Sequence, residues 1–255
     1  MKILVVGDSH SQYFGITPQL RAAYPALTGT ACELRTVHGA TITGFGKRAS
    51  SLGTRNVIVA LLKESPPDFL VLNFGQVDIE LGIPYRKYMK FEEINLKDII
   101  RNFVEIYRTF IESLDFPNDR ILVKGVNLSV LVHDRNKAIQ YIKRIVAINE
   151  DPAEEETGVI ERMKADFPND FQRDATVRHF NACTAEAMAA IGVSYFDLNA
   201  ALFDERTGLI SSRYIPSGRD HHLVDSVEVR KMHWQALLRE INEKYSSGDS
   251  YPSVI

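Results

Sequence analysis

Lys2-Ile3-Leu4-Val5-Val6-Gly7-Asp8-Ser9-His10 is the stretch on which the reading of this chain turns. Four consecutive apolar residues are cut off abruptly by Gly7-Asp8. A strand in the middle of a parallel sheet looks like this, because helices cover both of its faces and no polar alternation survives. Asp8 and Ser9 belong to the residue types that cap helices. The segment therefore predicts a buried strand, a tight turn and a helix start, with the Ser9 hydroxyl exposed above the sheet. Capping alone would account for Asp8 or Ser9; a nucleophile is the second reading of Ser9.

Outward from this segment, strand and helix patterns alternate, which predicts an α/β fold with helices on both sides of a parallel sheet. A helix is expected over about 16–23, a strand over 32–37 and a helix over 54–63, stopped by Ser65-Pro66-Pro67. Residues 69–74 form the clearest remaining buried strand. Leu96 to Leu114 carries Ile99, Ile100, Phe103, Val104, Ile106, Tyr107, Phe110 and Ile111 on one broad face, the stripe of a core helix. A fourth strand is predicted at 120–126, a helix at 175–190, a fifth strand at 193–196 and a last helix at 227–245. The connection 127–174 is too long for a plain loop. Its amphipathic piece at 138–148 and the acidic, Pro-containing piece at 149–157 predict a helical insertion. One domain over 1–245 with a frayed tail at 246–255 is expected.

Bulk composition narrows the function. The 255 residues are 45% apolar and 25% charged, with a formal net charge of −3. Neither the charge nor any run of Lys and Arg points to nucleic acid. Cys32 and Cys183 are too few for a disulfide framework and lack metal-ligand spacing. No apolar stretch of about 18 residues predicts a membrane span. Met1-Lys2 runs straight into the first strand without the apolar core of a signal peptide, so a cytoplasmic protein is expected; separately, no cofactor and no metal are expected.

Open parallel sheets bind ligands at the carboxyl ends of their strands. Three such ends carry unusual residues: Gly7-Asp8-Ser9-His10, His38-Gly39-Ala40-Thr41 and Gly75-Gln76-Val77-Asp78. In the order and spacing of these blocks, followed by the unit from Asn181 to Phe203 and by Asp220-His221-His222-Leu223, the chain resembles the SGNH (GDSL-like) hydrolases. The resemblance covers most of the chain except 127–174. It implies a flavodoxin-like three-layer sandwich around a mostly parallel five-stranded sheet, with the helical insertion between strands 4 and 5. It also implies Ser9 as nucleophile, Gly39 as an oxyanion donor through its N–H, and a catalytic Asp and His before the last helix.

Two departures follow. The asparagine that the family uses in its oxyanion hole falls on Val77, which has no donor; Gly75, Gln76 or Asn73 are left as candidates. The family separates its Asp and His by two residues, and that count from Asp220 reaches Leu223. Residues i and i+2 of an extended loop project to the same side, so Asp220 is expected to orient His222, with His221 as the alternative base. Asp8, His10, His38 and Asp78 are possible pocket residues, although Asp78 also suits a structural role in its turn. His133, His179 and His233 read as surface or satisfied core histidines, and Arg213, Tyr214 and Arg219 as ordinary loop residues or contacts to a carboxylate or sugar.

The expected reaction is acyl-ester cleavage through an acyl-enzyme, with a carbohydrate acetyl ester as the substrate that the resemblance suggests. Three alternatives stay open: a saccharide O-acyltransferase, a non-catalytic carbohydrate-binding or scaffold module, and a metal-dependent phosphoesterase. The last rests on Asp220-His221-His222, which resembles the manganese-binding motif of DHH-type phosphoesterases. That motif follows a buried strand, whereas Ile215-Pro216-Ser217-Gly218-Arg219 reads as loop.

Overall fold

The computed structural model describes residues 1–47, 52–146, 156–218 and 220–246. The expected acidic piece at 149–157 falls largely outside the described residues, as do the tail at 247–255 and Arg219.

Five strands form one sheet: β1 (Lys2–Gly7), β2 (Ala31–Thr36), β3 (Phe69–Asn73), β4 (Ile121–Lys124) and β5 (Ser194–Phe196). Their order is β2-β1-β3-β4-β5, and every neighbouring pair is parallel. This is the flavodoxin-like doubly wound order, whose topological switch lies between β1 and β3. Ile3 to Val6 are essentially without solvent contact, as their unbroken apolar run requires.

The helices are α1 (Pro18–Ala23), α2 (Ile42–Phe45), α3 (Thr54–Glu64), α4 (Leu96–Glu112), α5 (Arg135–Val146), α6 (Glu156–Asp166), α7 (Asp170–Ala190), α8 (Asn199–Leu202) and α9 (Val227–Ser246). α4 packs on α7 and α2, and α1 packs on α9. The sheet thus carries a helical layer on each face. The stripe read from the sequence of α4 is buried from Ile99 to Ile111 except at Ile106, which lies at the edge of the face and is half-buried. Asn95 caps this helix by accepting from the Lys97 N–H at 3.1 Å, and Asn169 with Gln172 forms a reciprocal capping box at the start of α7.

The long connection is helical, as expected, but it does not stand apart from the rest. α5 and α6 enclose a small second core with Leu81, Tyr88 and Met89. Those three residues come from a helical segment over 76–89 with wide π-type turns at Asp78–Gly82 and Tyr85–Met89. The sequence reading gives Asp78 a turn and assigns no element to 79–95; Gly82 and Pro84 are poor helix formers. Burial beneath the insertion supplies what local propensity lacks. α7 begins five residues before the predicted start, because its cap lies in the insertion. A two-stranded hairpin, β6 (Phe203–Asp204) with β7 (Leu209–Ile210), is also unanticipated; each strand is only two residues long. Among the described residues no helix is long and apolar enough to cross a membrane.

Candidate active site

The end of β1 passes very close to β3. A Cβ on Gly7 would lie 2.5 Å from the Asn73 carbonyl oxygen, so only glycine fits, and the Asp8 N–H donates to that same carbonyl at 3.1 Å. The chain then turns at Asp8, whose carboxylate accepts from the His10 N–H at 2.9 Å and caps the 3₁₀ turn Ser9–Phe14. Capping thus falls to Asp8 and leaves the Ser9 hydroxyl for other partners.

That hydroxyl meets the loop before α9. Ser9 Oγ lies 2.7 Å from His222 Nε2, and His222 Nδ1 lies 2.6 Å from Asp220 Oδ1. With a carboxylate on Nδ1, that nitrogen carries the proton and Nε2 is the free base. Asp220 Oδ1 also accepts the backbone N–H groups of His221 at 2.7 Å and His222 at 3.3 Å. Of the two candidate bases, His222 is therefore the one on Ser9. Burial holds the His222 pKa below its ordinary value; Asp220 opposes this and neighbouring His221 reinforces it. An imidazole so placed is neutral and ready to accept a proton at neutral pH.

His221 faces the other way. Its Nδ1 lies 3.2 Å from Glu80 Oε2, and both side chains are buried. Burial opposes a charge on His221, but the hydrogen bond and charge of Glu80 outweigh it and raise the pKa. Two histidine–carboxylate pairs therefore stand side by side. Glu80 escapes a sequence reading because it lies on the 76–89 segment; two adjacent histidines beside a single aspartate are the only hint that a second carboxylate is required. Tyr141, from the insertion, is a second addition. Its hydroxyl donates to Asp220 Oδ1 at 3.4 Å and its ring lies against His221.

The remaining candidates divide. His10 is buried against both partners of the loop, stacked on His222 with ring centroids 4.3 Å apart and edge-on to His221 at 4.6 Å. Neither of its ring nitrogens has a hydrogen-bond partner among the described residues. Asp8 is wholly buried, which raises its carboxyl pKa to about 7. Asp78 is buried as well but serves α2: it accepts from the Ile42 N–H at 2.7 Å and the Thr43 N–H at 3.3 Å. That is structural work, and burial pushes its pKa up to about 6. His38 and Gly39 lie exposed on the turn after β2.

Gln76 has structural partners. Its side-chain N–H donates to the Asn127 carbonyl at 3.2 Å and its carbonyl accepts from the Asn127 N–H at 2.9 Å. One N–H and the carbonyl of this amide thus pin the start of the β4–α5 connection. Asn73 is buried with its amide nitrogen unpartnered among the described residues. Gly75 takes φ +114°, and a Cβ there would press on Phe180 at 3.0 Å; its glycine is explained by the backbone path. In the loop before the histidines, Arg213 is exposed and pairs with Glu228 at 2.7 Å, while Tyr214 is buried.

The last residue of β4, Lys124, is buried with its amino group on Asn127 Oδ1. Burial lowers its pKa to about 7, against the opposing fields of Asp197 and Asp8. A cavity of about 70 Å³ sits between the 76–89 segment and the insertion, lined by Glu80, Ile83, Tyr88, Ile142 and Phe167 among others. Ser9 and His222 do not line it.

No family model and no curated protein matches the chain by sequence. Solved structures do. A catalytic mutant of an acetylxylan esterase from Geobacillus stearothermophilus superposes with a TM-score of 0.51 at 15% identity, over 99% of this chain and 96% of that one. A carbohydrate acetylesterase family member from Sinorhizobium meliloti gives a TM-score of 0.51 at 11% identity, over 96% and 100%. At such identities the likeness speaks for architecture alone, and with the sheet order and layers described above it shows that the chain has the SGNH (GDSL-like) hydrolase fold.

Proposed function

We propose that this protein is a serine hydrolase of acyl esters, with Ser9, His222 and Asp220 as its catalytic triad. The single observation that carries the reading is His222, which bridges Ser9 Oγ through Nε2 and Asp220 through Nδ1. In this mechanism the Ser9 proton passes to His222 Nε2 as Oγ attacks the ester carbonyl carbon. Asp220 fixes the tautomer and stabilises the imidazolium. His222 then returns the proton to the departing alcohol, which leaves an acyl group on Ser9. Water, deprotonated by the same imidazole, releases the acid.

Charge on the carbonyl oxygen is stabilised by backbone N–H groups, for which Ser9 and Gly39 are the candidates, with Asn73 as the side-chain amide whose nitrogen is unpartnered among the described residues. Val77 contributes none. A carbohydrate acetyl ester is the proposed substrate class; its support is the acetylxylan esterase and the carbohydrate acetylesterase family member that share the architecture.

Turnover of p-nitrophenyl acetate by wild type, Ser9→Ala and His222→Ala, with and without a chelator, tests the reading. Chelator-resistant hydrolysis that falls by about 10⁴-fold or more in each variant is expected. Ser9→Ala with wild-type turnover would overturn it.

A further inference from the structure

The loop Asp220–His222 and the turn after β1 bring three imidazoles to one point. His10, His221 and His222 each offer a ring nitrogen, and the three nitrogens lie within 4.8 Å of one another. Both histidines of the loop are held from behind by carboxylates, Glu80 on Nδ1 of His221 and Asp220 on Nδ1 of His222. Carboxylates placed this way orient metal-binding imidazoles and increase their basicity. His10 is the independent sign. It is 1% exposed, yet both of its nitrogens lack a partner among the described residues. Buried polar groups are almost always paired, and the triad has no use for a third imidazole against the face of the second.

We propose that His10, His221 and His222 form a site for a late first-row divalent cation, with Zn²⁺ as the probe, and that the ion inhibits the serine chemistry. Three neutral nitrogen donors suit Zn²⁺ and its neighbours and not Mg²⁺ or Ca²⁺, which prefer oxygen. Tetrahedral coordination at the usual Zn–N length places nitrogens about 3.4 Å apart, so the rings close in slightly on the ion. The fourth position is open to water or the Ser9 oxygen. His222 has only its Nε2 to give, and a metal on that lone pair removes the base from Ser9. Inhibition therefore rests on the triad reading; binding of the ion does not.

Metal-stripped protein is titrated with Zn²⁺ by calorimetry and with Co²⁺ by visible absorption, which reports a tetrahedral nitrogen site without any turnover. The variants are His10→Phe, which keeps a buried ring but removes both nitrogens, His221→Asn, and Ser9→Ala. Near-UV circular dichroism confirms that each is folded. One ion per chain is expected in wild type and Ser9→Ala, with affinity lower by about 10-fold to 100-fold or more in His10→Phe and His221→Asn. Zn²⁺ should suppress p-nitrophenyl acetate turnover over the concentration range in which it binds, and a chelator should restore it.

Absence of a Co²⁺ spectrum in wild type, or His10→Phe binding as wild type does, overturns the site. Turnover that rises as the ion binds overturns its inhibitory role. Intact Co²⁺ binding in a protein whose metal-free form hydrolyses no ester upholds the metal site and counts against the triad instead.

Discussion

At the scale of single residues, two adjacent histidines have been given opposite environments. His222 is depressed by burial and by its neighbour, and His221 is raised by Glu80. The sign of the consequence for activity is fixed. The base works in its neutral form, and its pKa lies below the ordinary 6.5. The acid limb of kcat/KM should therefore fall below pH 6.5, with full activity already reached at neutral pH. A pH profile of ester hydrolysis checks this; a limb centred above 6.5 would contradict the electrostatics of the site. The groups that set this balance are Asp220, His221 and Glu80, drawn from the loop before α9 and the 76–89 segment, while the His10 ring is stacked on His222.

At the scale of elements, the β4–α5 connection is fastened to the end of β3 by one side chain. Gln76 satisfies both the N–H and the C=O of Asn127, which is 2% exposed. Gln76→Ala would leave two buried backbone groups unpaired, at a cost of about 2–4 kcal/mol in chemical denaturation. In the fraction that remains folded, kcat should change little. If Gln76 instead served the oxyanion, kcat would fall by about 10²–10³ with little loss of stability. The two readouts separate structural from catalytic work. The insertion has a similar double character: α5 builds a second core with the 76–89 segment, and through Tyr141 it touches Asp220.

At the scale of the whole molecule, the sheet buries ionisable groups beneath the site, and stability becomes pH-dependent as a result. Folding raises the Asp8 pKa from 3.8 to about 7. The stability that this group contributes is full below pH 3.8 and is lost as pH rises through about 7, a change of about 4 kcal/mol. Lys124 runs the other way. Its pKa falls from 10.5 to about 7, so its contribution is present above pH 10.5 and is lost as pH falls toward 7. Asp8→Asn keeps the oxygen that accepts from His10 and abolishes the first titration. Wild-type stability should thus decline relative to the variant between pH 4 and 7, as measured by denaturant unfolding at each pH. Parallel curves would show that Asp8 keeps an ordinary pKa in the fold.

What the sequence by itself determined is local. The apolar run Ile3–Val6, the stripe of α4 and the turn signals around Ser65-Pro66-Pro67 specify strands and helices through periodicity and backbone preference. Their alternation then limits the topology to a doubly wound sheet. Asp220 and His222 could be paired in advance because i and i+2 share a side within one loop. What only the tertiary structure decided depends on contacts between distant segments. Residues 76–89 become helical because the insertion buries them, and Glu80 thereby reaches His221, 141 positions away. Gln76 is turned to Asn127 by a strand end that no local rule places beside it. Ser9 and His222 meet across 213 positions because β1 lies centrally in the sheet and α9 is packed against α1, which holds the preceding loop over the end of that strand.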